Sequence, residues 1–125
     1  GFQRWETAGV HFHGFADLFA DLDRTRDEAI HSPEFSCLGH PWLLSVYPGG
    51  GEDSPAGMVA VDLYNMSEED IEIDFSFTVR NSAGKEVASF EAKGLATLLT
   101  TSTFAKRSTL MAALVEGTLT IEVRM

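Results

Sequence analysis

An all-β fold, an antiparallel β-sandwich of about eight short strands, is what this sequence of 125 residues predicts. Three observations carry that reading. Ile71, Ile73, Phe75, Phe77 and Val79 alternate with Glu72, Asp74, Ser76 and Thr78, the period of a strand with one face in a core. Trp42, Leu44 and Val46 alternate with Leu43, Ser45 and Tyr47 in a run that starts beside Pro41. It is stopped by Pro48-Gly49-Gly50-Gly51, which cannot continue a ladder. Leu119, Ile121 and Val123 repeat the alternation after a Glu116-Gly117 turn.

From the N-terminus, Val10 and Phe12 alternate with His11 and His13 and predict a first strand. The acidic stretch over 17–28 predicts a loop, with a helical turn over 16–22. Residues 30–35 read as a short strand broken by Pro33, because proline offers no N–H to a ladder. After the Trp42 strand, residues 48–57 hold four glycines, two prolines and two acids, the composition of a mobile connection. Val59, Val61 and Leu63 then share one face of a strand. Beyond the strand over 71–79, Asn81-Ser82-Ala83-Gly84-Lys85 reads as a tight turn into a weaker strand over 86–93, anchored by Phe90. Residues 97–103 are a Thr/Leu segment of ambiguous type, and 106–114 predict a short helix with Leu110, Met111 and Leu114 inward. No internal repeat or low-complexity tract interrupts the pattern.

With 44% hydrophobic and 22% charged residues, residues 1–125 read as a single domain around a single core. Trp42 belongs in that core, since a tryptophan inside a strand with apolar neighbours at period two is usually buried. Both ends fall in structured-looking sequence, so the domain is expected to be part of a longer, multidomain protein. No apolar run approaches the roughly 18 residues of a membrane span, and no N-terminal segment resembles a signal peptide. An intracellular setting, cytoplasm or nucleus, is the expectation.

Lys+Arg number 9 against 19 Asp+Glu, a formal net charge of −10. Such a surface repels phosphate backbones and anionic lipid, which argues against nucleic acid and membranes as partners and favours neutral or basic ones. The acids gather at Asp17, Asp21 and Asp23, at Asp27-Glu28, at Glu52-Asp53 and from Glu68 to Asp74, and read as a solvated rim. The lone Cys37 excludes an internal disulfide, suits a reducing compartment, and reads as a buried structural thiol.

No catalytic set emerges. Ser45, Ser54 and Cys37 lack a recognisable nucleophile elbow or local base, and no carboxylate pair stands out. Gly49-Gly50-Gly51 lacks the following Lys-Ser/Thr of a phosphate loop, and Glu52-Asp53 would repel phosphate. The chain therefore reads as a non-enzyme without cofactor. His11-Phe12-His13 with Asp17 is similar to the HxHxxxE metal motif of cupin sandwiches. A metal would need a third ligand from Asp17, His31 or His40; the favoured reading is two solvent-facing histidines on an edge strand. Tyr47 and Tyr64, strand residues near loop edges, offer a carbohydrate-binding sandwich as a second class.

An ordered set of segments covers nearly the whole chain from Val10 onward: Ala29-Ile30-His31-Ser32-Pro33-Glu34-Phe35, Trp42-Leu43-Leu44-Ser45-Val46-Tyr47-Pro48-Gly49-Gly50 and the strand from Met58 to Leu63. It continues with Ile73-Asp74-Phe75-Ser76-Phe77-Thr78-Val79-Arg80-Asn81 before Gly84, then Phe104-Ala105-Lys106-Arg107, and Gly117-Thr118-Leu119-Thr120-Ile121-Glu122-Val123. In that order the sequence resembles a MATH domain, the meprin and TRAF-C homology fold, as in MATH-BTB adaptor proteins. The resemblance implies an eight-stranded antiparallel sandwich with at most one or two short helices, binding short extended peptides along a sheet edge or shallow groove.

Carried over by position, the groove implied by that resemblance runs past Asp62 and Phe75 and along 95–101, with Leu98, Leu99, Thr100 and Thr101 as its wall. The alternation of Phe75 with Ile73 and Phe77 places it on the core face as well. Asp62 stands where peptide-binding members often have an aromatic, and Leu99-Thr100-Thr101 replaces their Trp-Gly-Phe. Val10-His11-Phe12-His13-Gly14-Phe15 replaces the early tryptophan and Ile-Asn-Asn-Phe-Ser. The fold is expected to tolerate these changes, whereas the ligand specificity is not expected to carry over. In such proteins the domain presents clients to a BTB module that recruits a ubiquitin ligase, to a ubiquitin-specific protease, to a coiled coil or to a metalloprotease. The resemblance thus implies protein or peptide partners, with oligomerisation through domains outside this chain.

Overall fold

The computed structural model describes residues 5–22, 24–96 and 98–125. Asp23 of the acidic rim and Thr97 of the Thr/Leu segment lie outside them. In chain order the described elements are β1 (Thr7–Phe12), α1 (Phe15–Leu22), β2 (Ile30–His31), β3 (Phe35–Cys37), β4 (His40–Tyr47) and β5 (Met58–Asn65). They continue with β6 (Ile71–Arg80), β7 (Glu86–Ala96), β8 (Leu98–Lys106), α2 (Arg107–Ala112) and β9 (Leu119–Arg124). Pro33 lies between β2 and β3, so the broken strand read from the sequence becomes two short ones on the same partner, β4. That division accounts for nine described strands where about eight are expected.

Two antiparallel sheets face each other. One has the order β1-β9-β6-β7; the other has the order β2-β4-β5-β8, with β3 also paired to β4. Strict alternation decides which face of each strand is inside: along β6, Ile73, Phe75, Phe77 and Val79 are buried, and along β9, Leu119, Ile121 and Val123. Trp42 has no exposed surface, and its indole Nε1 donates to the Cys37 carbonyl at 2.8 Å, so the polar tip of a buried ring is satisfied. Phe77 of β6 meets Phe104 of β8 edge to face at 6.2 Å between centroids, joining the two sheets through the core.

The acidic segment after β1 is more ordered than its composition suggests. Phe15, Phe19 and Leu22 recur at helical spacing and turn α1 toward the core, where Phe15 packs against Phe12 at 6.1 Å and Phe19 at 5.3 Å. The connection over 48–57, expected to be mobile, is held by its neighbours. Arg26 Nη1 donates to the carbonyls of Gly51 (2.9 Å) and Ser54 (2.7 Å), and the Asp27 amide donates to Gly50 (3.0 Å). The helix expected over 106–114 forms as α2, with Leu110 fully buried, but Met111 is 39% exposed rather than inward. Adjacent helical residues differ by about 100°, so a single short turn cannot bury both.

Cys37 is free and buried. Burial, with the nearby Glu6 carboxylate adding to it, pushes its thiol up to about 11, so at neutral pH it is protonated and a poor nucleophile. Among the described residues no helix is long and apolar enough to cross a membrane.

Candidate functional site

The outer face of the five-stranded sheet gathers the polar groups that alternation turns away from the core. Cross-strand pairing sets His31 opposite Ser45, Ser45 opposite Asp62, and Asp62 opposite Thr100, a row across β2, β4, β5 and β8. Leu43, Tyr64 and Leu98 form the next row on the same face. Asp62 organises the centre: its Oδ2 accepts from the Tyr47 hydroxyl at 2.7 Å and from the Tyr64 hydroxyl at 3.3 Å. The two phenol oxygens lie 3.4 Å apart. Burial, together with hydrogen bonding to Tyr64 and Asp62, raises the Tyr47 pKa well above the ordinary tyrosine range, so the phenol stays a donor. The rings offered by sequence as sugar platforms are half-buried with their hydroxyls engaged at Asp62.

Beside this cluster, Tyr47, Asp62 and the start of β8 line a depression of about 180 Å³ whose rim carries Asp27, Glu52 and Asp53. No cation lines it among the described residues. The Arg26 bonds that pin the 48–57 connection hold Glu52 and Asp53 there.

Among the described residues β8 pairs with β5 alone, and β7 with β6 alone, so both sheets end on the side where β7 runs into β8. Leu98 to Thr101 keep regular register with β5; beyond Thr101 the register shifts and Ser102 and Thr103 stand exposed before Phe104 returns to the core. A bulge of this kind ends the pairing-competent stretch of an edge strand. The Leu99 side chain packs over Gly94 of β7, where a Cβ would lie 2.6 Å from Leu99 Cδ2.

The sequence-expected groove residues therefore separate. Asp62, Leu98 and Thr100 share the outer face, Leu98 being 46% exposed. Leu99 and Thr101 alternate onto the inner face, and Thr101 is buried. Phe75 does not join them: it belongs to the opposite sheet, is 3% exposed, and packs on Phe77 at 5.1 Å, as its period-two position dictates.

Two further sequence readings gain geometry. Ser45, for which no local base is evident in sequence, has His31 Nδ1 2.6 Å from its Oγ. Ser45 has no exposed surface, however, so the pair is an internal hydrogen bond closed to a substrate. His11 and His13 are exposed on β1 and its following turn, 5.9 Å apart between ring centroids; His11 lies 2.8 Å from Thr120 Oγ1 and His13 3.4 Å from Thr118 Oγ1. Among the described residues no group of three or more His, Cys, Asp or Glu is placed to hold a metal. Sequence reasoning paired Tyr47 with Tyr64 but named Asp62 and His31 apart from them, and missed that all four share one face of the sheet. The β4–β5 register is the signal that joins them.

Sheet order, register and helix placement define a TRAF-C-like β-sandwich. TRAF5 of Notothenia coriiceps has this fold, matching with a TM-score of 0.74 over 94% of this chain and 71% of that one, at 14% sequence identity. No family model matches the sequence, and no curated protein does.

Proposed function

We propose that this chain is a non-catalytic protein-interaction domain that binds a short extended segment of a partner protein. The segment lies against the open β8 edge, with side chains reaching the Asp62 face. One observation carries the placement: the regular stretch from Leu98 to Thr101, paired with β5 on one side and, among the described residues, with no strand on the other, carries outward-facing Leu98 and Thr100 beside Asp62. An added strand gains affinity from main-chain hydrogen bonds, and the alternating outer side chains choose among sequences. Leu98 offers an apolar contact, while Asp62 and the carboxylate rim favour a basic or neutral segment. The fold is a further support, and the MATH-BTB resemblance supports the finer role of adaptor. In that role the domain holds a client, for ubiquitin ligation, while other modules of a longer intracellular protein supply the chemistry and the oligomerisation.

The test is unbiased peptide display on this chain and on Asp62→Lys. The expected result is a consistent short motif, basic or neutral, whose affinity falls about tenfold or more on charge reversal, tenfold corresponding to 1.4 kcal/mol. Equal enrichment on both proteins would sink the placement at Asp62.

A further inference from the structure

A second surface lies between the two helices. α1 and α2 flank a groove of about 610 Å³, walled by Phe19 and Ala20 on one side and Met111 on the other, with Met58 in its floor and Lys106 and Arg107 at its rim. The backbone builds it firmly: the Arg107 amide donates to the Gly57 carbonyl at 2.8 Å, and Arg107 Nε donates to the Pro48 carbonyl at 3.0 Å. Met58 and Lys106 are register partners across β5 and β8. Two methionines give the groove an adaptable apolar lining, and Met111 is 39% exposed in a helix whose Leu110 already fills the core.

Its charge sets it apart from the rest of the molecule. Carboxylates outnumber Lys and Arg by 19 to 9, yet two cations and, among the described residues, no carboxylate line this groove. Among the described residues Lys106, which is exposed, has no ion-pair partner. An acidic segment would be repelled by most of this surface and accepted here, which is selection by exclusion as much as by attraction.

We infer that the α1–α2 groove is a second docking site, for a partner-protein segment that carries one or two large apolar side chains flanked by Asp or Glu. The apolar side chains lie on Met58, Met111 and Ala20, and the carboxylates meet Lys106 and Arg107. This site is independent of the β8 edge and selects the opposite charge, so one domain can hold two different segments at once.

Two displayed peptide libraries test it, sharing randomised apolar anchors and differing only in flanks of Asp/Glu or Lys/Arg. Recovered acidic peptides are expected to lose about tenfold or more in affinity on Lys106→Glu and on Met111→Glu, to keep it on Lys106→Arg and Asp62→Lys, and to weaken with salt as exposed cations are screened. Thermal melts of the variants, at exposed Lys106 and Met111 and at half-buried Asp62, separate loss of binding from loss of fold. No enrichment of the acidic library, or enrichment indifferent to both Lys106→Glu and Met111→Glu, overturns the inference. So does binding lost on Asp62→Lys, which would place the peptides at the β8 face. Self-association of this chain abolished by Met111→Glu would make a second copy the occupant and equally overturn it.

Discussion

Replacing Trp42 with alanine is expected to destabilise the fold by about 3–5 kcal/mol, a large share of the roughly 5–15 kcal/mol that holds a typical domain together. The side chain has no exposed surface, so its removal loses the transfer free energy of a large ring and leaves a cavity between sheets that cannot close without moving β4. It also strips the Cys37 carbonyl of the indole donor at 2.8 Å. Trp42→Phe separates the two contributions: most of the volume stays, the hydrogen bond goes, and a smaller loss of about 1–3 kcal/mol is expected. Urea unfolding at constant slope reads both values. An alanine variant within about 0.5 kcal/mol of the parent, the range of an ordinary surface change, would contradict the burial of this ring.

Gly49→Ala should be nearly as damaging although it adds one methyl group. A Cβ at Gly49 would lie 2.2 Å from the Thr25 carbonyl oxygen, 2.7 Å from its carbon and 2.8 Å from its nitrogen. All three are backbone atoms, so relief requires the segment before β2 to move, and overpacking of this kind costs about 1–3 kcal/mol or more. Gly84→Ala makes the comparison sharp. Gly84 has φ +81 with nothing within 4 Å, so its cost is conformational only, about 1–2 kcal/mol. Because Thr25 adjoins Arg26 and Asp27, Gly49→Ala should also disturb the acidic rim and weaken segments selected at Asp62, which Gly84→Ala should leave alone. Melting temperatures and peptide affinities of the two variants, side by side, check this.

The reasons why some elements were readable from sequence and others not are physical. The β6 strand announces itself because five apolar residues alternate with polar ones without a break, and β9 for the same reason. α1 hides because its acids suggest solvent; the spacing of Phe15, Phe19 and Leu22 is the better signal. β8 lacks a clean period because it changes register after Thr101, so its two halves present different faces. The proposed binding surface is harder still. Asp62, Tyr47 and His31 come together only once β2, β4 and β5 are in register, and the 48–57 connection that fixes the β4–β5 register is not a tight hairpin with a rule. The resemblance to MATH domains led toward Asp62, Leu98 and Thr100, which share the outer face, but it also drew in Leu99 and Thr101, which alternate inward, and Phe75, which plain alternation already assigns to the core.

Amide hydrogen exchange across the chain, with and without a peptide recovered by display, tests the central claim most directly. If an extended segment joins the sheet at β8, new protection is expected at backbone amides between Leu98 and Thr101, with Asp62, Tyr47 and Tyr64 perturbed on the adjoining face and the four-stranded sheet unchanged. Protection centred on β1, β9 and β6, or binding that leaves β8 amides exchanging as before, would contradict the claim.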